Sequence, residues 1–234
     1  MPSPKDGATF LRACPIFAGL PARDLDAVAA AARDASYRAR EYVFMEGEPA
    51  AWFCLVKRGR VKILRHARTG KDVVLELLGP GEAFGGVAVI EQRPYPASAQ
   101  TMEPSVVTKI HQDVIVPLSE RHPGIVREMA FMIGRRLRAA HASVKSLASD
   151  PVEARLAATL VRLAEREGIR AGPRLTLPFQ LTRQSLADMT GTTVETAIRV
   201  LSRWQRDGLI LEEQGRLVLP DLAAVRQLAE GAES

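Results

Sequence analysis

The spacing of apolar and polar positions changes twice along the chain and divides it into helical, strand-rich and again helical stretches. Residues 22–34 are alanine-rich, with Leu25, Val28, Ala29 and Ala32 at helical spacing and Pro21 near the start, and predict one amphipathic helix. Residues 1–6 ahead of it read as a loose tail. From Ser36 to Ile110 short β-rich runs follow: 42–44, 52–56, 61–64, 73–78, 98–102 and 106–110. Turn residues divide them, at Glu46-Gly47-Glu48-Pro49, Lys57-Arg58-Gly59-Arg60, Thr69-Gly70-Lys71 and Gly79-Pro80-Gly81. Evenly spaced short strands with glycine turns predict an antiparallel sandwich or barrel.

Helical spacing returns at Pro123. Val126, Ala130, Ile133, Leu137, Ala140, Val144 and Leu147 alternate steps of four and three, the pattern of a heptad seam. Arg127, Arg135, Arg136, Arg138 and Lys145 leave this apolar stripe narrow, which favours pairing with a second copy over packing on the helix's own domain. Ser149-Asp150-Pro151 breaks the pattern, with Asp150 as a cap and Pro151 opening a further helix lined by Leu156, Leu160, Leu163 and Ala164. Residues 169–177 then read as a connecting segment.

Residues 181–210, LTRQSLADMTGTTVETAIRVLSRWQRDGLI, predict two short helices and a tight turn. Thr182 can cap the first helix. Gly191 supplies the left-handed turn angle that costs glycine least, and Thr192 or Thr193 caps the second helix. Ala197, Val200, Leu201 and Trp204 make the second helix's inner face; Glu195, Arg199, Arg203 and Arg206 lie on its other side. This is the helix-turn-helix pattern, although a pair of amphipathic helices with a surface Glu195–Arg199 pair has the same look. The run 209–219 favours the first of these, because Leu-Ile-Leu, a polar glycine turn and Leu-Val-Leu read as a hairpin placed as a wing. A last helix is expected over 221–229. The whole is an α+β chain in three parts: residues 1–122, a β-roll with flanking helices; 123–149, a long dimerisation helix; and 150–234, a winged helix-turn-helix.

Composition narrows the function. The 47% hydrophobic content supports packed cores, so the chain is not disordered. A net charge of +5 permits a polyanionic partner without requiring one. Two distant cysteines, Cys14 and Cys54, argue against a metal or iron–sulfur site, and Cys54 in the run WFCLV reads as a small core residue. Neither a signal peptide nor a membrane-length apolar run is visible, so a cytoplasmic location and no membrane partner are expected. No phosphate loop, HExxH or Ser-His-Asp arrangement suggests an enzyme.

The runs FMEGEPAAWFCLVKRGRVKIL, LLGPGEAFGG, SERHPGIVREMAFMIGRRLRAA and LTRQSLADMTGTTVETAIRVLSRWQRDGLI, in that order, resemble the Crp/Fnr family of bacterial transcription regulators over nearly the whole chain. The resemblance implies a jelly-roll-like β-roll of the cyclic-nucleotide-binding type and a homodimer reading a palindromic promoter site and acting on RNA polymerase. It implies a DNA face made of Thr182, Arg183, Gln184, Thr192, Thr193, Val194, Glu195, Thr196, Ile198, Arg199 and Arg203. Glu195 and Arg199 match the family's reading pair, and their chemistry agrees: a carboxylate accepts from cytosine N4, while Arg donates twice to guanine. Val194 follows the Fnr-like branch, whereas Ile198 replaces that branch's usual Ser. A GA-core half-site, nearer TTGA than TGTGA, is therefore expected.

The same resemblance implies an effector pocket at Gly81, Glu82, Phe84, Gly85, Gly86, Val87, Ala97, Ser98, Ala140 and His141. Members that bind cyclic AMP carry a Glu for the ribose and an Arg-Ser pair for the phosphate. Here Gly86 stands at the Glu position and Ala97 at the Arg position, with Ser98 retained, and Ala140-His141 replaces the adenine-contacting Thr-Ser. Without the bidentate guanidinium a cyclic phosphate loses its main anchor, so cyclic AMP is not expected, nor is an iron–sulfur cluster. His141 leaves haem open, and no cofactor is assigned. Gly79, Gly81, Gly85 and Gly86 offer an anion nest or, more simply, tight strand turns. Two other functions stand beside DNA reading: a ligand or redox sensor acting through a protein partner, and a cyclic-nucleotide regulator with a divergent pocket.

Overall fold

The computed structural model describes residues 4–66 and 72–231. The chain forms two compact units, one of the first eight strands and their helices as far as Arg138, the other from Ala139 onward.

The first unit begins with helix α1 (Pro4–Ala13), a single 3-10 turn at Pro15–Phe17 and α2 (Ala22–Ala31). Two expectations are corrected here. The stretch from Pro4 is helical rather than a loose tail. The helix expected over 22–34 ends at Ala31, because Arg33–Tyr37 form β1, whose backbone pairs antiparallel with a later strand. The strands that follow are β2 (Tyr42–Phe44), β3 (Trp52–Arg58), β4 (Val61–His66), β5 (Asp72–Leu78) and β6 (Ala83–Phe84). The expected turn at Thr69-Gly70-Lys71 lies outside the described residues. A short helix α3 (Gly86–Ile90) and strands β7 (Ser98–Thr101) and β8 (Ser105–His111) complete the roll. Two four-stranded sheets result, ordered β1-β8-β3-β6 and β2-β7-β4-β5.

Between the sheets lies an apolar core that includes Phe44, Phe53, Leu55, Val61, Leu78, Phe84, Val107 and Ile110. Cys14 and Cys54 are both buried. Burial pushes the Cys14 thiol up to about 11 and the Cys54 thiol up to about 12, so both stay protonated and inert near neutrality. Helix α4 (Gln112–Arg121) carries Pro117 and has no apolar period that marks it in the sequence.

Helix α5 (Pro123–Ser149) is continuous over 27 residues, and its two sides differ. Ile125 and Met129 join the roll's core. Val126, Ile133, Leu137, Val144 and Leu147 stay exposed, Val144 at 65%. Ala130 and Ala140 are exposed as well.

The second unit continues with α6 (Val152–Glu167), which buries Leu156, Leu160, Leu163 and Ala164 as their spacing requires. Pro151, not Asp150, occupies its cap position, while the Asp150 N–H still bonds back into α5 at Ser146. The segment expected to be a plain connection is a hairpin, β9 (Ile169–Ala171) and β10 (Arg174–Thr176), turned at Gly172. Helices α7 (Arg183–Thr190) and α8 (Val194–Arg206), strands β11 (Leu211–Glu213) and β12 (Arg216–Leu219) and helix α9 (Leu222–Ala229) follow. The hairpin β9–β10 joins the wing in one sheet, ordered β11-β12-β10-β9. Among the described residues no helix is long and apolar enough to cross a membrane.

Gly86, at the start of α3, leaves no room for a side chain. A methyl group there would lie 2.6 Å from the Phe53 ring and 3.0 Å from the Met129 methyl carbon. Gly86→Ala is expected to cost about 1–3 kcal/mol, the usual range for overpacking, read as a lower urea midpoint with unchanged slope.

Candidate nucleic-acid interface

The helix-turn-helix is set by local bonds that its residue types require. The Thr182 hydroxyl accepts from the Ser185 N–H at 3.0 Å and opens α7. Gly191 ends α7 in the left-handed conformation, φ 60°. Thr193, the second of the two expected caps, opens α8 by accepting from the Thr196 N–H at 3.2 Å. The small size of Gly191 leaves room for Leu147, whose Cδ2 would lie 2.7 Å from an added methyl group. That clearance is toward the end of α5.

Arg155, which the sequence reading passed over, locks this turn in place. Its guanidinium donates to the carbonyls of Thr190 at 2.9 Å, Gly191 at 3.5 Å and Asp150 at 2.8 Å. The first two oxygens belong to the end of α7, where the helix has no further N–H to offer, so the cation satisfies them and opposes the helix dipole. Sequence periodicity holds no signal for such a role, because Arg155 lies on the polar side of α6.

Helix α8 has the strongest division into faces. Ala197, Val200, Leu201 and Trp204 are buried; Glu195, Ile198 and Arg199 are exposed. The Trp204 indole N–H donates to Glu153 Oε1 at 2.8 Å, and Arg203 pairs with the same carboxylate. Burial alone would raise the Glu153 pKa, but the bonds from Arg203 and Trp204 outweigh it and hold the carboxyl below its ordinary value. Val194 and Thr196 are half-buried at the start of the helix and Thr192 in the turn before it.

Two arginines expected on the DNA face are engaged within the protein: Arg203 with Glu153, and Arg183 with Glu212 of the wing at 2.7 Å. Gln184 donates to Asp188 at 2.6 Å. In the wing, Gln214 and Gly215 both take positive φ, 52° and 74°, the geometry of a tight hairpin turn.

The expected effector residues are divided. Gly81, Glu82, Phe84, Gly85, Gly86, Val87, Ala97 and Ser98 lie in the roll, whereas Ala140 and His141 are exposed on α5 beyond Arg138. The roll residues are tightly packed. The Glu82 carboxylate accepts from the Gly79 N–H at 2.7 Å. The Ser98 hydroxyl is fully buried and accepts from the Glu46 N–H at 2.9 Å. Beside Gly85, φ 75°, stand the rings of Tyr95 and Phe44, which stack with centroids 3.6 Å apart. Gly85 and Gly86 thus bring the backbone against aromatic rings, whereas Gly81 has open space beside it. Nearby, Arg136 of α5 donates to Glu76 at 2.8 Å and to the Ala83 carbonyl at 2.7 Å. Among the described residues no group of three or more His, Cys, Asp or Glu is placed to hold a metal.

An antiparallel roll, a long helix and a winged helix-turn-helix with an outward polar face define the class: a DNA-binding protein with an N-terminal β-roll. Comparison with known proteins makes this specific. A family model described as cyclic nucleotide-binding domain matches residues 35–122, and one described as Crp-like helix-turn-helix domain matches residues 154–228. The chain is 28% identical over 221 residues to the cyclic AMP receptor protein of Thermus thermophilus, covering 94% of this chain and 99% of that one. It is 27% identical over 191 residues to the transcriptional activator protein anr of Pseudomonas aeruginosa, covering 82% and 78%. Among solved structures, the c-di-GMP responsive global regulator CLP of Xanthomonas campestris superposes with a TM-score of 0.71 at 26% identity, over 85% of this chain and 99% of that one. FixK2 of Bradyrhizobium japonicum shares the fold with a TM-score of 0.73 at 23% identity, over 84% and 96%. The chain belongs to the Crp/Fnr family of transcriptional regulators.

The Glu153 clamp gives a pH signature. A carboxyl whose folded pKa is lowered contributes stability above its unfolded pKa and loses that contribution as pH falls through the folded value. In a Trp52→Phe background, Trp204 emission should report acid unfolding of the second unit below the ordinary carboxylate range. Glu153→Gln, which cannot titrate, should flatten that dependence over the same acid window.

Proposed function

We propose that this chain is a homodimeric, sequence-specific transcription regulator that reads a palindromic promoter site through α8. The observation that carries the reading is the placement of Glu195 and Arg199, one helical turn apart and both exposed, on the side of α8 opposite Trp204. A carboxylate and a guanidinium so spaced can meet cytosine N4 and guanine O6/N7 in one half-site. Val194 and Ile198 add apolar surface beside them, suited to a thymine methyl, and a GA core follows. Thr182, Gln184, Thr192, Thr193 and Thr196 flank the two helix starts, where free N–H groups and hydroxyls suit phosphate oxygens. RNA polymerase is the further partner that a promoter-bound regulator of this family engages, and the cytoplasm is where it meets both.

Dimerisation is supported by the exposed stripe of α5. Val126, Ile133, Leu137, Val144 and Leu147 recur on one side of a 27-residue helix and leave a row of large side chains in water. A matching stripe on a second copy buries them, and paired reading helices then meet half-sites about one DNA turn, roughly 34 Å, apart.

The signal is not cyclic AMP on this reading, although one relative carries that ligand in its name. Ala97 offers no cation to a phosphate, and the space an acidic side chain at position 86 would need is filled by Phe53. The buried, protonated thiols likewise give no support to a thiol-based redox sensor.

Selection from random DNA should return inverted repeats with GA-core half-sites, with or without cyclic AMP; sites lacking GA would contradict the base-reading roles. Arg199→Ala should cost ~1–3 kcal/mol on the selected site and relax choice at one position. An equal loss on all sequences would reassign Arg199 to phosphate. Leu137→Glu, a charge placed in the seam, should convert the dimer seen by native mass spectrometry to monomer and abolish binding to the full palindrome; a dimer that persists would move the interface elsewhere.

A further inference from the structure

The wing is acidic where a DNA-binding element has most use for positive charge. β11 carries Glu212 and Glu213 side by side, both exposed. Each is matched by an arginine from another element: Arg183 at the first position of α7 donates to Glu212 at 2.7 Å, and Arg174 of β10 pairs with Glu213. Gln205, near the end of α8, also donates to Glu212, at 3.3 Å. The Glu212 carboxylate therefore holds the guanidinium of the first residue of α7, the end of a helix where the dipole and free N–H groups favour an anion. In DNA recognition that place belongs to a backbone phosphate.

We propose that Glu212 is a restraining residue for DNA binding: it occupies Arg183 as an internal substitute for phosphate and withholds one cation from the DNA backbone. This rests on the DNA-reading function of α8 proposed above and adds how affinity is divided between base edges and backbone. A phosphate contact tightens binding to every sequence equally and carries no information. Removing one such contact lowers non-specific binding and leaves the base contacts of Glu195 and Arg199 to decide the outcome. The pair is mostly within reach of solvent, with the Arg183 side chain 27% and that of Glu212 41% exposed. It is weak enough to open when the carboxylate is removed, because exposed ion pairs contribute little to stability.

The test is the salt dependence of binding by the full-length protein to random-sequence duplex DNA and to its selected site. Each phosphate neutralised steepens the slope of log K against log salt by about 0.9. Glu212→Gln, which keeps the side chain's shape and an oxygen for Gln205, should steepen the slope by about that amount on both DNAs. At 0.1 M salt it should tighten binding about eightfold, the same slope carried down from 1 M. Arg183→Ala alone should leave the wild-type slope unchanged, and the double variant should return to wild type. Unchanged slope in Glu212→Gln overturns the proposal. So does weaker binding with a lower unfolding midpoint, which would make Glu212 a structural tie between α7 and α8. A gain that survives in the double variant would trace to loss of negative charge alone and overturn the role of Arg183. Wild-type protein that binds neither DNA would overturn the underlying reading instead.

Discussion

The bond between the Trp204 indole and Glu153 fixes how α8 is seated. An indole ring removes more apolar surface from water than any other side chain on this helix, but its N–H cannot go into a dry interior unpaired without a penalty of about 1–3 kcal/mol. Glu153 accepts it at 2.8 Å and takes Arg203 as well. The carboxylate is itself held by two donors and stays ionised. With Trp204 locked inward against α6, the rotation of α8 about its own axis is set. Glu195 and Arg199 have only the outward direction left. Arg155 does the corresponding work for α7, by filling the carbonyl acceptors at its end and tying them to Asp150. Two charged residues of α6 thus hold both helices of the helix-turn-helix.

Helix α5 shows how one helix can serve two cores. Ile125 and Met129 belong to the roll and are covered by it. The seam residues lie on a different side and stay largely exposed among the described residues. Surface of this kind is favourable to bury at roughly 25 cal/mol per Å², and it repeats at the heptad steps that let a second helix interleave. Arginines on the remaining sides keep the stripe narrow, so a partner helix satisfies it while a broad domain surface does not.

In the roll, glycines perform a packing function where the sequence offered an anion nest as an alternative. Gly85 and Gly86 bring the backbone against the rings of Tyr95, Phe44 and Phe53, and side chains at these positions would displace them. The Glu82 carboxylate and the Ser98 hydroxyl are bonded to backbone N–H groups of neighbouring turns. Arg136 spans from α5 to Glu76 and the Ala83 carbonyl, an ionic tie between helix and sheet. The Glu82 and Ser98 groups both close the protein's own turns.

Residue spacing was enough to place the elements whose apolar positions repeat at one period: the long stripe of α5, the buried side of α6, the two helices of the helix-turn-helix with the Thr182 cap and a second cap at Thr192 or Thr193, and the wing. Each is legible because burial demands a fixed spacing, and a cap demands a side-chain oxygen at one position. Periodicity put Glu195, Arg199, Arg203 and Arg206 together on the polar side of α8, and only the family resemblance singled out Glu195 and Arg199 among them. The remaining features emerge only on folding. β1 and the β9–β10 hairpin exist because partner strands satisfy their backbones, which no local pattern records. α4 carries an internal proline, and α3 is only five residues long. The pairs Glu153–Arg203, Glu212–Arg183 and Glu76–Arg136 join residues 50, 29 and 60 positions apart in the chain. A charge declares its sign in the sequence, but only the folded backbone determines which opposite charge comes within reach.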